Sequence, residues 1–388
     1  MSVRPRIPEL DGLRTLAISA VMLHHFLPGI YTELGWVGVD LFFVLSGFLI
    51  TGVLLDLRSD PTPYAKFYWR RAIRIFPPYY AVLAIIAVLA FAQHCTGDPK
   101  TWLRVLLFVP AINRGISFHL VLGRLAGRIR FDMSHRFWVW TNPGSRYIDG
   151  LGPYWSLAVE ELFYLLWAPV VLKCSRKTIM AFAILPLVLC PILRGLTHTA
   201  DFIEIWGFIP RLDTLALGGC LALLLRTKPN LPRWALLAPV PPILVSLSLL
   251  CVHCGLLRGL DIRSYETFGI FGYSLLACLF GCVVGTCVLW QSHPALSPLR
   301  LRPVVYVGTI SYTMYLIHVE VWIVLSNICS ASRISSGDVL LGTAAATLTV
   351  GVAAVSWRFY ESRFLRLRNW PDRVRQGAEK SFTATAGG

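Results

Sequence analysis

Arg14 and His25 stand in one apolar stretch of the sequence, LRTLAISAVMLHH. On an α-helix of about 3.6 residues per turn their spacing is close to three whole turns, so both side chains occupy one face, roughly 16 Å apart along the axis. The two groups suit different tasks. A guanidinium grips phosphate or carboxylate with a planar fork. An imidazole, titrating near neutral pH, can take a proton from a hydroxyl or carry a transferred group. The plainer alternative is that Arg14 snorkels to a membrane surface and His25 caps a packing contact. Further ionisable groups interrupt other apolar runs. Arg70, Arg71 and Arg74 make up the run RRAIR, and His24, Asp40, Glu160, Glu161, Arg211, Asp213, His318 and Glu320 are spread along the chain.

The elements that must position these groups are membrane helices. Hydrophobic residues make up 55% of the 388 and charged residues only 15%, where soluble domains carry roughly 25%. That balance excludes a soluble fold, which could not cover its surface, and a disordered chain, which would be apolar-poor. Stretches long enough to cross a bilayer run near 12–30, 36–57, 75–94, 153–172, 178–195, 207–226, 235–256, 268–290, 304–328 and 338–357. They predict an all-α fold, a polytopic transmembrane bundle of about ten spans with both termini cytoplasmic. The segment 102–112 is too short to cross and is broken by Pro110, so it reads as re-entrant or interfacial.

Loop charge supports that count. The formal net charge is +15, and with the N-terminus inside, Arg58, Lys66, Arg70, Arg71 and Arg74, then Lys173, Arg176 and Lys177, then Arg226, Lys228 and Arg233, fall in cytoplasmic loops as the positive-inside rule asks. The excess is thereby explained without a nucleic-acid partner. Residues 95–152 form a long, arginine-rich and aromatic outer loop, and long loops cross regardless of charge. Residues 1–370 read as one membrane domain and 371–388 as a short polar, disordered tail. No cleavable signal peptide is expected, because the first apolar segment lacks a small-residue cleavage site. Most of the ten cysteines lie in apolar runs and act as small hydrophobes. The one CxxC, Cys251 to Cys254, has no second pair to build a zinc site.

With this topology the polar groups sort by depth. Arg14 and the RRAIR arginines lie near the inner face, where they suit a phosphorylated ligand, although ordinary positive-inside charge explains them equally well. His24, His25, Asp40, Glu160, Glu161, Arg211, Asp213, His318 and Glu320 lie in the outer half and come from several spans. Ionisable groups inside a bilayer face a protein interior or a wet cavity, so this set points to a polar cavity with candidate acids and bases. A transporter would show the same feature. It often shows internal repeats as well, and none is visible here.

The sequence also resembles a known family. PELDGLRTLAISAVMLHHF followed by WVGVDLFFVLSGFLITGVLL looks like the start of the acyltransferase 3 family of integral-membrane O-acyltransferases. YWRRAIRIFPPYY, GPYWSLAVEELFYLLWAP, RLDTLALGGCLA, GTISYTMYLIH and RFYESRFLRLR continue the pattern in order, across almost the whole chain. The resemblance implies a cell-membrane enzyme with no permanently bound cofactor or metal. It would move an acetyl or other short acyl group from cytoplasmic acyl-CoA to a hydroxyl of an extracytoplasmic or lipid-linked saccharide or a related metabolite. The family's motifs fall on Arg14 and His25, on Arg71 and Arg74, on Glu160 and Glu161, and on Tyr315 and His318. Joined to the depth sorting, they put acyl-CoA on Arg14, Arg70, Arg71 and Arg74, and chemistry on His25, Glu160, Glu161 and His318, with Glu160 orienting the imidazole. Tyr315 of the tyrosine–histidine block, with Asp40, Arg211 and Asp213, falls on the acceptor side or in the cavity. Some members carry a fused SGNH-type hydrolase domain, which is not read in this sequence. The loop 114–150 is longer and more basic than the usual pattern.

Overall fold

The structure is a computed structural model, and it describes residues 6–27, 33–92, 103, 106–107, 154–196, 211–228, 230–254, 267–331 and 338–372. The described residues are helical, with turns and no strand. The helices are α1 (Pro8–Phe26), α2 (Val37–Leu57), α3 (Pro63–Ala92), α4 (Tyr154–Lys173), α5 (Arg176–Leu196), α6 (Leu212–Thr227), α7 (Val240–His253), α8 (Tyr273–Leu289), α9 (Arg302–Ala331) and α10 (Asp338–Ser356). Each of the ten expected spans overlaps one of them. Seven helical segments are long and apolar enough to cross a membrane, on α2–α5 and α8–α10. The other three differ for identifiable reasons. α1 has Glu9, Asp11 and Arg14 in its first two turns. α6 and α7 have 16 and 14 residues, and about 20 are needed to cross straight. The re-entrant segment 102–112, the loop 95–152 and the tail from residue 373 lie largely or wholly outside the described residues.

The bundle is centred on α1, α2, α6 and α9. Ile18, Val21 and Phe26 of α1 pack on Ile310, Met314 and Leu316 of α9, while Ile50 and Leu54 of α2 pack on Leu215 and Leu223 of α6. Small residues allow the closest approach, as in other helix pairs within bilayers. A Cβ at Gly47 would collide with the Leu215 carbonyl, and one at Gly218 with the Val44 carbonyl, so α2 and α6 meet backbone to backbone. Gly308 does the same for α9 against the Asp11 carbonyl of α1.

One helix start differs from the sequence expectation and moves part of the site. The third span was read from residue 75, leaving RRAIR in a cytoplasmic loop, but α3 starts at Pro63. Arg71 and Arg74 therefore stand two to three turns inside a helix. Hydropathy hid this start, because Lys66, Arg70 and Arg71 depress any window that contains them. The same helix carries Pro77 and Pro78, which lack the N–H that would bond the carbonyl four residues earlier. Hydroxyls from outside reach carbonyls at this break: Tyr312 donates to Ile75 at 3.1 Å and Tyr360 to Pro77 at 3.3 Å.

After α10 a π-turn, Trp357–Glu361, leads into a short helix, Ser362–Leu365, and a 3-10 turn, Arg366–Asn369. Glu361 points inward and accepts from Thr313 at 2.7 Å and Ser356 at 2.9 Å. The segment is tied to α3. Trp69 donates its indole N–H to Leu367 at 2.8 Å, Trp69 and Trp370 pack with ring centroids 5.0 Å apart, and Lys66 bridges Asp60 and Asp372. Asp372, expected in a disordered tail, is thus anchored.

Candidate active site

The polar residues separate into three groups. The first lies where α1, α2, α3 and α4 meet. Arg14 pairs with Asp11 at 3.1 Å and is in electrostatic reach of Arg71, Tyr164 and Glu160. Arg71 lies over the Tyr164 ring, 5.5 Å from its centroid. Arg74 neighbours Arg14, Arg71 and Glu361. Glu160 accepts from the Tyr164 hydroxyl at 2.8 Å, and the Ser46 hydroxyl bonds the same phenol. That arrangement keeps the Glu160 carboxylate on Tyr164 rather than on a guanidinium. Among the described residues, Arg71 and Arg74 have no hydrogen-bond or ion-pair partner. Arg14, Ser46, Arg71, Arg74, Glu160 and Glu161 are all half-buried rather than sealed.

The second group lies further along α1 and α9. The rings of His25 and His318 meet edge to face with centroids 4.8 Å apart. His25 Nδ1 donates to the Val21 carbonyl at 2.8 Å, and His318 Nδ1 donates to the Tyr315 carbonyl at 2.7 Å. A carbonyl only accepts, so each bond fixes the proton on Nδ1 and leaves Nε2 as the basic nitrogen. His318 is fully buried, and among the described residues its Nε2 has no hydrogen-bond partner. Tyr315 bonds Ser156 at 2.7 Å and lies in electrostatic reach of Glu160. Tyr312, one turn nearer the arginines, is in reach of Glu160, Glu161 and Arg74. These two tyrosines of α9 link the arginine layer to the histidine pair. Glu320 accepts from Tyr154 at 3.2 Å beyond it.

The third group is separate. Arg211 donates to Asp40 at 2.7 Å, and its guanidinium lies 3.9 Å from the Tyr273 ring centroid. Arg194 bonds Asp213 at 2.9 Å, and Ser274 bonds the same oxygen at 2.8 Å. Asp40 and Asp213 are fully buried.

Three sequence expectations change. Arg70 is turned away from Arg14, because one residue rotates a helix position by about 100°. It lies 3.7 Å from Asp372, with 37% of its side chain exposed. Glu160 was expected at the depth of His25 as its orienter. The structure gives it to the arginine layer, and the Val21 carbonyl holds the imidazole. Asp40, Arg211 and Asp213 form their own ion-pair cluster on α2, α6 and the turn before α6, rather than lining one cavity with His25. Tyr164 and Ser46 were missed; the available signal was Tyr164 four residues after Glu160, one turn on.

Among the described residues no group of His, Cys, Asp or Glu is arranged to hold a metal ion. The acyltransferase domain of the acyltransferase 3 type matches residues 7–358. The chain belongs to this acyltransferase family. It is 27% identical over 382 residues to the peptidoglycan O-acetyltransferase OatA of Listeria monocytogenes, covering 92% of this chain and 56% of that protein. It is 26% identical over 392 residues to the O-acetyltransferase OatA of Staphylococcus aureus, covering 92% and 57%. A putative peptidoglycan O-acetyltransferase of Bacillus subtilis, YrhL, is 30% identical over 340 residues, covering 82% and 49%. The chain spans about half the length of these curated relatives. No solved structure matches it.

Proposed function

We propose that this acyltransferase-family chain transfers an acetyl or other short acyl group from acyl-CoA on the cytoplasmic side to a saccharide hydroxyl outside, in the plasma membrane. The relatives' names make peptidoglycan, or a lipid-linked saccharide related to it, the first acceptor to test. The observation that carries the reading is the pair of unpartnered guanidinium groups, Arg71 and Arg74, inside the bundle. A half-buried cation that no carboxylate bonds is costly in a bilayer, and the phosphates of acyl-CoA are anions that guanidinium forks fit. Arg14 completes the set, while Arg70 is left out because it faces Asp372.

The proposed transfer runs from this layer along α1. The donor's phosphates rest on the arginines, and its extended arm reaches past Tyr312 and Tyr315 toward the histidines. His25 Nε2 takes the acceptor's hydroxyl proton as the oxygen attacks the acyl carbonyl, the thioester C–S bond breaks and the CoA thiolate leaves, taking up that proton; or His25 Nε2 first displaces CoA and carries the acyl group to the hydroxyl. His318, with Nε2 buried and close to His25, is the second basic group. In this reading the ten helices are ten spans with both termini inside. The three helices too short or too charged to cross alone do so within the bundle, shielded by their neighbours. Labelling of cysteines introduced at Ser134 and Ser145 from outside intact cells tests that orientation; labelling only after permeabilisation rejects it.

The functional test is acyl transfer by the purified chain in nanodiscs, supplied with acetyl-CoA and a peptidoglycan fragment or lipid-linked precursor. Product bearing an acetyl ester supports the reading. Movement of saccharide across the membrane without ester formation would make the chain a transporter.

A further inference from the structure

The segment after α10 carries a second set of unpaired cations, outside the arginine layer. Arg358, Arg363 and Arg366 line a cavity of about 620 Å³ together with Tyr306, Trp357 and Phe359. All three arginines are exposed, and among the described residues none of their guanidinium groups has an ion-pair or hydrogen-bond partner. Arg358 lies 5.9 Å from the centroid of the Phe359 ring. Tyr306 is 42% exposed and Phe359 57%. Two of the arginines lie beyond the residues matched by the family domain, which ends at 358.

Two features show what this cavity would hold. First, it combines three guanidinium groups with exposed aromatic rings at the end of a long apolar helix, where amphipathic rings sit at a membrane surface. That chemistry fits a ligand with an anionic head and an apolar body. Second, it lies off the flank of Glu361, the residue of these turns that neighbours Arg74. Glu361, within the same turns, is buried and bonded inward to Thr313 and Ser356, while Ser362, Arg363 and Arg366 are rotated roughly 100° to 160° from it. A donor held on Arg14, Arg71 and Arg74 would lie on the Glu361 side. We propose that this cavity binds the phosphate headgroup of an anionic membrane phospholipid in the cytoplasmic leaflet. The leaflet rests on the orientation proposed above; the headgroup chemistry does not.

Basic residues near an anionic membrane surface each add a few-fold in affinity, so three together contribute roughly a hundredfold. The test uses the full chain in nanodiscs of phosphatidylcholine alone or with phosphatidylglycerol, reading retained phosphatidylglycerol by mass spectrometry, melting temperature, acyl-CoA affinity and acyl transfer. The wild type should retain phosphatidylglycerol through purification and melt higher in its presence. The Arg358→Gln, Arg363→Gln, Arg366→Gln variant should lose that retention and the melting gain, with acyl-CoA affinity unchanged. The corresponding triple Lys variant should keep part of the retention, since it keeps charge but not the planar fork. It also serves if the Gln variant fails to insert. An equal charge removal elsewhere, Arg176→Gln, Lys177→Gln and Arg233→Gln, should leave retention intact. Unchanged retention in both Gln variants, or equal loss in both, overturns the proposal and leaves the arginines as orienting charge. Loss of acyl-CoA affinity with lipid retention preserved also overturns it, by assigning the cavity to the donor. Because retention is read without turnover, a wild-type chain that binds phosphatidylglycerol but transfers no acyl group sinks the acyltransferase reading alone.

Discussion

Arg71 and Arg211 both lie inside the helix bundle, yet their surroundings differ in kind. Arg211 is 11% exposed, bonded to a fully buried Asp40 and stacked on Tyr273. Beside it Arg194 is bonded to the equally buried Asp213. Arg71 is half-buried, lies over an aromatic ring, and is in electrostatic reach of Glu160, whose carboxylate is tied to Tyr164. The first arrangement has consumed its charge. Such a cluster fixes the packing of α2, α5, α6 and α8, because pulling one partner out would strand the other in a low-dielectric interior. The second arrangement leaves charge available. A binding site for an anion needs cations whose internal partners are absent or displaced, and the Ser46–Tyr164–Glu160 chain displaces one.

If that division holds, substitutions in the two regions should separate activity from stability. The largest effect on turnover belongs to the histidine pair. His25→Ala should lower acyl transfer by roughly 10² to 10⁴, the usual loss for a general base, with acyl-CoA binding retained. His24 is offset by about 100° on the same helix, so His24→Ala should be milder at matched expression. Equal losses in two folded variants would remove the distinction between the positions.

The ion-pair cluster should answer in stability instead. Asp40→Ala leaves Arg211 as an uncompensated buried charge, which costs about 3–5 kcal/mol. Thermal melting in detergent should fall sharply, while any protein that remains folded binds acyl-CoA normally. Replacing both partners together, Asp40→Leu with Arg211→Met, should recover part of the loss, since apolar substitutes of similar volume often match a buried pair. A double variant as unstable as the single one would show that Asp40 or Arg211 has a further role.

These contrasts also show what could be read before folding. The Arg14–His25 face was legible because helical period alone fixes it. The existence of the ten helices was legible because apolar runs of that length have few alternatives. The depth of Arg71 and Arg74 was not, since α3 continues through its own charges to Pro63, held there by Lys66 and Trp69 contacts with residues about 300 positions away. The partition of acids was not legible either. Asp40, Glu160 and Asp213 share a depth in a list of spans, and only the packing of α2 on α6 and α4 decides which arginine each one meets.

A middle-sized effect is expected in the arginine layer. Arg71→Lys keeps the charge but loses the planar fork, so acyl-CoA affinity should fall about tenfold, in line with one charged hydrogen bond. Tyr164→Phe frees Glu160 to pair with Arg71, and should weaken donor binding even though no charge is removed. Isothermal titration with acetyl-CoA reads both. Unchanged affinity in both variants would mean that the donor is held elsewhere.

The smallest effect should come from Arg70, and it sharpens the comparison because it adjoins Arg71 in the sequence. Its side chain is over a third exposed and its partner Asp372 is 3.7 Å away. Pairs of this kind contribute about 0–1 kcal/mol, and Lys66 continues to hold Asp372 when Arg70 is gone. Arg70→Ala should therefore change melting by little and acetyl-CoA affinity not at all, whereas Arg71→Ala removes a guanidinium of the proposed donor site and should lower that affinity. Titration of the two alanine variants side by side asks whether helix face or sequence motif selects the donor-binding arginines. Equal loss of affinity would mean that the run acts as a diffuse positive charge, and the distinction between paired and available arginines would fail where it is most local.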